Sequence, residues 1–398
     1  GCRANFFSEL KFALTEYRKY IWGVYTQDEM HEYAASQGVK FYAQMKDTYP
    51  YIRLVDEEVK KQFGFGKYGI PTSMEDTNPY RWIAYHRWID KQIIDWQKDT
   101  FDMTRQLAPE IRVISIDPVA GHTPLQLDAL TPYIDIATHQ LYPSANPNRQ
   151  EFGFVTKFCV DLINKPVWPC AHVENYGYST TPEETRELMS QIIRNGGKGF
   201  HLYLPDVKGR RADKGDTIIT KYGSPERYRA IKEILNTTYN MNEVAMPSDP
   251  DCAIFYSEDH YQSFPSSDTG LPNEPEFAYT FFGPVARTWF KFVNDNMIAD
   301  GRSKLSSYKA VVLPIAKYQR VEVVSKVLDY VKNGGTLICG DPESFSFGID
   351  GTSLASQKAK LFGVSCKPAD RRKTITFTST CSLKSLRNRN LTVMSDTF

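Results

Sequence analysis

Between residue 6 and about 240 the chain repeats one pattern: a short apolar run ends in polar or Gly/Pro-rich residues, and a helical stretch or a longer excursion follows. The runs are YIWGVY, IRVISID, IDIATHQLYP, PVWPCAHVE and GKGFHLYL. Runs this short and apolar suit strands covered on both faces, and strands joined by helical crossovers are parallel, so the pattern specifies successive βα units. Helices read from FFSELKFALTEYRKY and from 81–107, where Tyr85, Trp88, Ile89, Ile93, Trp96 and Met103 share one face. A third opens at TTPEETRELMSQIIRN, with Thr180 or Thr181 as N-cap and Pro182 in the first turn. From His31 to Pro79 the sequence is irregular and rich in Tyr, Gly and Asp, a long excursion with short helices.

The reading is α/β throughout. Five strands in order fit strands 4 to 8 of a (β/α)8 TIM barrel over residues 1–240, so that the chain reads as a fragment. A doubly wound unit is expected over 250–365: DCAIFYS is a strand, FAYTFFGPVARTWFKFVNDN a helix and YKAVVLP a strand. VEVVSKVLDYVKNG is then a helix closed by Gly334 and Gly335 before the strand TLICGD. Residues 366–398, with ITFTST and LTVMSDTF, read as the start of a β-rich segment.

Charge excludes some partners. Lys and Arg number 48 against 47 Asp and Glu, so no net field draws the chain to nucleic acid or to an anionic membrane, and no apolar run approaches the roughly 18 residues of a membrane span. Aromatics are 13% of the residues, 24 of them Tyr, and such rings floor sugar sites as well as cores. The 7 cysteines form no CxxC pair, and Cys170, Cys252 and Cys339 in apolar runs read as buried thiols. The sequons at Asn236 and Asn390 leave the compartment open.

In a (β/α)8 barrel the chemistry sits at the carboxyl ends of the strands. Those ends carry Asp28 and Glu29, Asp117, His139 with Tyr142, His172 with Glu174, and His201 with Tyr203. Glu29 and Glu174 are separated by about three βα units, which sets them on facing sides of a barrel mouth. A retaining glycosidase needs two such carboxyls about 5 to 5.5 Å apart, one protonated and one ionised. The plain alternatives are a salt-bridged strand-end carboxylate for Glu174, and a helix-capping cluster of Glu29 with Asp28, His31 and Glu32. Tyr142 is placed to hold the nucleophile ionised. His139, His172 and His201, with Trp168 on the same strand as His172, are candidate sugar contacts. Each histidine alone is equally a satisfied core residue, and the three together are a candidate Zn2+ set for a metal-dependent hydrolase.

The order of these features resembles glycoside hydrolase family 42. WGVYTQDE is similar to that family's fourth strand, whose terminal Glu is the acid/base; DIATHQLYP to its sixth; PVWPCAHVENYG to its seventh, which carries the nucleophile; and GGKGFHLYL to its eighth. YKAVVLPIAKYQRVEVVSKVLDYVKNGGTLICGDPES resembles the flavodoxin-like trimerisation domain that follows this barrel. The resemblance implies a retaining exo-glycosidase without a cofactor, acting as a homotrimer on a terminal β-galactoside or related carbohydrate. Glu29 would be its acid/base and Glu174 its nucleophile. Asp28 stands where the clan has an Asn that contacts the sugar 2-hydroxyl, and the eighth strand continues as LPDVKGRR in place of the usual Trp-Arg ending. Both departures imply a divergent subfamily, and a carbohydrate-binding barrel without turnover is the second expectation.

Overall fold

The computed structural model describes residues 2–26, 38–40, 50–115, 126–143, 150–172, 180–202, 225–239, 246–247, 249–265, 274–363, 374–376 and 390–392. The chain divides into two compact units. Unit 1 comprises Gly1–Leu54, Thr72–Met74 and His86–Met246, and unit 2 comprises Val55–Pro71, Glu75–Tyr85 and Pro247–Phe398. Both are built on parallel sheets.

In unit 1 the strands β1 (Gly23–Tyr25), β2 (Arg112–Ile114), β3 (Gln140–Leu141), β4 (Cys170–Ala171) and β5 (His201–Leu202) fall in the five expected runs. β1 pairs with β2, β3 with β4 and β4 with β5, all in parallel. The parallel bridges Ile114–Ile136 and Ala137–Val167 carry the ladder from β2 into the β3 segment and from there into the β4 segment. Neighbours in space are therefore neighbours in sequence, the rule for consecutive βα units. The sheet also curls. Trp22, just before β1, stacks on Trp168, just before β4, with ring centroids 5.5 Å apart and planes 12° apart. Tyr25 on β1 meets His201 on β5 edge to face at 6.0 Å.

Helices cover one face. Leu10 and Leu14 of the helix Cys2–Glu16 pack on Val24 of β1 together with Ala108 and Ile111. This first helix ends before the expected Tyr20, and Arg18–Tyr20 forms a separate 3-10 turn. The helix Pro182–Arg194 begins as expected. Thr181 is its N-cap, accepting from the Glu184 amide at 3.2 Å while the Glu184 carboxylate accepts from the Thr181 amide at 2.9 Å, and Pro182 needs no partner for the amide hydrogen it lacks.

The long helix Pro79–Leu107 departs from the aromatic face read in the sequence. Tyr85, Ile89 and Ile93 are buried as expected, but the innermost stripe continues through His86, Asp90, Gln97, Thr100 and Thr104, while Trp88, Trp96 and Met103 are only partly covered.

Unit 2 contains a four-stranded parallel sheet in the order β7 (Lys291–Asn294), β6 (Cys252–Tyr256), β8 (Ala310–Leu313), β9 (Thr336–Cys339). The expected helix over FAYTFFGPVARTWFKFVNDN is corrected here. Residues Glu274–Thr280 are helical and Phe281–Val285 form one wide turn, after which Lys291–Asn294 is the strand β7 and Asp295–Ala299 a short helix. Gly283 and Pro284 break the α-helix, and Phe292 and Val293, buried with Asn294, suit a covered strand better than a helix. The helix Val321–Lys332 crosses from β8 to β9, burying Val323, Val324 and Val327 against Val311, Leu313 and Phe345. It stops at Gly334, whose φ is 93°, and Gly335 follows where any Cβ would lie 2.1 Å from the Tyr330 ring. Two short strands, β10 (Thr374–Thr376) and β11 (Asn390–Thr392), pair antiparallel in the expected β-rich tail.

Candidate active site

Register decides which side chains share a face in unit 1. Partners across a parallel ladder point the same way, and the period along each strand is two. Tyr25 is opposite Ile114, Ile114 opposite Ile136, and Gln140, Cys170 and His201 are opposite one another. One face therefore carries Tyr25, Gln140, Tyr142, His172 and His201. The other carries Val24, Val113, His139, Leu141 and Ala171, and Val24 meets the first helix there.

Toward the carboxyl ends of the strands the first face forms a rim. His172 stacks on Tyr142, centroids 4.1 Å apart, and the Tyr142 hydroxyl donates to Gln140 Oε1 on the same strand. Tyr25 and His201 are exposed and Tyr142 is half-buried, whereas His172 is covered. The rim thus combines aromatic surface with hydrogen-bonding groups, the mixture that polyhydroxylated ligands need.

Two expected contacts fall elsewhere. His139 lies on the helix-facing side, fully buried, and burial pushes its imidazole down to about 3, so it is a neutral core histidine. Trp168 shares the face of His172 but sits four residues earlier, about 13 Å toward the amino ends at the usual strand rise. It is engaged there with Trp22, and Gly199 leaves room for it, since a Cβ at 199 would lie 2.7 Å from the indole. The histidine triad does not assemble either. Among the described residues no group of three or more His, Cys, Asp or Glu is arranged to hold a metal ion, and His139, His172 and His201 are all described. Asp28, Glu29, Asp117, Glu174 and Tyr203 lie outside the described residues.

The sequence reading passed over three polar anchors of the strands, two of them buried and the third, Arg105 with Asp135, half-buried. Thr26, directly after β1, donates its hydroxyl to Gln97 Oε1 at 2.9 Å, and Gln97 Nε2 donates to the Tyr133 carbonyl at 3.1 Å. Ser115, directly after β2, accepts from the Thr138 amide at 2.9 Å. Lower on the same helix as Gln97, Arg105 pairs with Asp135, which also accepts from the Val113 amide at 2.7 Å. Burial opposes ionisation of Asp135, but that amide and the guanidinium together hold its carboxyl below the usual range.

The carboxyl ends of the unit 2 sheet are polar too, but closed. Gln319 Nε2 donates to Ser257 Oγ at 3.0 Å and to Asp295, Asp295 accepts from the Asp259 amide at 2.9 Å, and Asn294 donates to Glu258 at 2.8 Å. Arg320 pairs with Asp259 at 2.9 Å. Burial, reinforced by the Asp259 charge and opposed by Arg320, raises Asp295 to about 7. His260 beside this network is held neutral by burial, down to about 3.

Residues 282–342, from the wide turn through β9, match the family model of the beta-galactosidase trimerisation domain. That segment of the chain is similar to this domain. Solved structures with the same fold include a beta-galactosidase from the Antarctic haloarchaeon Halorubrum lacusprofundi, with a TM-score of 0.60 and 15% identity over 83% of this chain and 55% of the other. A family 42 beta-galactosidase from G. stearothermophilus has a TM-score of 0.60 and 13% identity, over 86% and 54% of the two chains. A beta-galactosidase from Bacillus circulans sp. alkalophilus has a TM-score of 0.58 and 16% identity, over 78% and 49%. This chain spans about half the length of the structures it matches. No curated protein matches its sequence. Among the described residues no helix is long and apolar enough to cross a membrane.

Proposed function

We propose that the chain supplies strands four to eight of a (β/α)8 retaining glycosidase that acts on a terminal β-galactoside or related sugar, with Glu29 as acid/base and Glu174 as nucleophile. The observation that carries this reading is the shared face of Tyr25, Tyr142, His172 and His201 at the carboxyl ends of consecutive parallel strands. In the sequence Glu29 follows Tyr25 by four residues and Glu174 follows His172 by two. His172 and His201 would then bond sugar hydroxyls, with Tyr142 beside the nucleophile. The trimerisation-domain match and the 2-1-3-4 order of the second sheet support a flavodoxin-like domain and a homotrimer.

The chemistry follows from two carboxyls in opposite states. Protonated Glu29 gives its proton to the leaving oxygen as the Glu174 carboxylate attacks the anomeric carbon. Ionised Glu29 then takes a proton from the water that cleaves the glycosyl-enzyme ester, and two inversions give net retention. Glu174→Ala and Glu29→Ala are each expected to lower turnover of an aryl β-galactoside by on the order of a thousandfold or more. Added azide should return a glycosyl azide of inverted configuration from the Glu174 variant and of retained configuration from the Glu29 variant. Unchanged turnover in Glu174→Ala would sink the assignment. Oligosaccharide binding without hydrolysis by the unaltered protein would replace it with the non-catalytic barrel.

A further inference from the structure

The chain enters β8 through Tyr308 and Lys309 and β9 through Gly334 and Gly335, at the amino ends of the unit 2 sheet. The last turns of the helix Val321–Lys332 and the connection from Ile298 to Lys309 line a cavity there of about 490 Å3, within the usual range of small-molecule sites. Its floor is covered: Ile298, Leu305 and Tyr330 are 1%, 6% and 6% exposed. The Tyr330 hydroxyl lies 3.1 Å from the Tyr308 carbonyl and 3.2 Å from the Thr336 carbonyl, which ties the floor to both strand entries.

Several polar groups of the lining keep capacity for a ligand. Ser303 is 7% exposed, and among the described residues its hydroxyl has no hydrogen-bond partner. A hydroxyl shut off from both water and protein is unfavourable, and its donor and its lone pairs remain for whatever enters. Lys326 Nζ donates to the Ala299 carbonyl at 2.8 Å, and an ammonium has three hydrogens, so two are left. Lys304 adds a second ammonium, whereas the charge of Lys309 is met by Asp251 at 2.7 Å. Against the two ammoniums stand the Asp329 carboxylate and the negative end of the helix, roughly half a charge. The balance is a small positive surplus, suited to one acidic group. Ser306, Asn333 and the Tyr308 ring complete the walls with partners for hydroxyls and a face for C–H groups.

We propose that this cavity binds a small polyhydroxylated anion, a sugar-sized molecule with one carboxylate or phosphate ester. Lys304 and Lys326 meet the acid, and Ser303 and Asn333 bond hydroxyls. Nothing in this site depends on the glycosidase chemistry proposed above, and the two readings fail separately.

The test is calorimetric titration of the whole chain with glucuronate, glucose 6-phosphate, glucose and inorganic phosphate, with hydrogen exchange followed in peptides spanning 299–309 and 326–336. At least one of the two acids is expected to saturate with a Kd on the order of 1 mM or tighter, and which one does so identifies the acidic group. Glucose and inorganic phosphate should bind at least about tenfold more weakly, and exchange in the two peptides should slow about threefold or more with the bound acid. Lys304→Ala, Lys326→Met and Ser303→Ala should each weaken the acid about fivefold, and Asp329→Asn should tighten it about threefold. Ser303→Ala removes an unbonded hydroxyl, so its urea midpoint should not fall. Failure of both acids to saturate overturns the proposal. So does glucose or inorganic phosphate binding as tightly as the acid, or an affinity that neither lysine variant changes.

Discussion

The two parallel sheets place polar residues at the carboxyl ends of their strands and use them in opposite ways. In unit 1 Tyr25 and His201 remain exposed and Tyr142 half-buried. In unit 2 Ser257, Asn294, Asp295 and Gln319 are all 0% exposed and bonded into one network that includes the Asp259–Arg320 pair. Strand ends gather polar groups in either case, because helices and loops begin there. Whether the groups are sealed from solvent or left at the surface decides if the edge is a lock or a site. The crevice at a strand-order reversal is the usual place for a ligand in an open α/β sheet, yet in unit 2 the chain's own side chains occupy it.

The largest effect that sharpens this contrast is the loss of turnover in Glu174→Ala, with little change in the melting temperature of either unit. Next is the lock itself. Arg320→Leu removes the guanidinium that pairs with Asp259, 1% exposed, and should cost about 3 to 5 kcal/mol in urea unfolding of unit 2. A cost below about 1 kcal/mol would mean that the network is solvated, and the contrast between the two edges would fail.

Asp295 provides a pH test. Its carboxyl is raised to about 7, so between the usual carboxylate range and pH 7 the folded chain keeps a proton that the unfolded chain has lost. The stabilisation is present on the acid side and disappears as pH rises through about 7. Asp295→Asn, which cannot ionise, should therefore gain stability relative to the parent between pH 5 and pH 8, measured as the shift in urea midpoint. A difference that does not vary with pH would contradict the raised carboxyl. The smallest effect is a control in unit 1: Thr181→Ala removes a surface cap and should cost about 1 kcal/mol without altering turnover.

Much of unit 1 was legible because its strand runs are short, apolar and separated by strong helical signals. The start of the helix could be read to within one residue, Thr180 or Thr181, because Pro182 stands in its first turn, and the structure makes Thr181 the cap. Two features were hidden for physical reasons. In THQLY both faces of the strand carry polar groups, so composition could not say that His139 turns to the helices while Gln140 and Tyr142 turn to the rim; only register does. In the helix Pro79–Leu107 the aromatic residues mark a broad face, and the buried polar stripe within it takes its meaning from partners far away in sequence, Tyr133 for Gln97 and Asp135 for Arg105. β7 was missed for another reason. FAYTFFGPVARTWFKFVNDN is apolar enough for either element, and Gly283 and Pro284 fall in its middle, where a break reads as a kink instead of a change of structure.

The stack of Trp22 on Trp168 joins residues that stand almost at opposite ends of unit 1's strand order. β1 and β2 can zip together as soon as both exist, but the bend that brings the first strand toward the last waits for the chain to reach the fourth. On the ribosome Trp22 would meanwhile lack the indole it stacks on. Replacing Trp168 is then expected to reduce the yield of folded protein during synthesis more than it reduces the stability of what has folded, because the indole pair matters most while the sheet is still choosing its curvature.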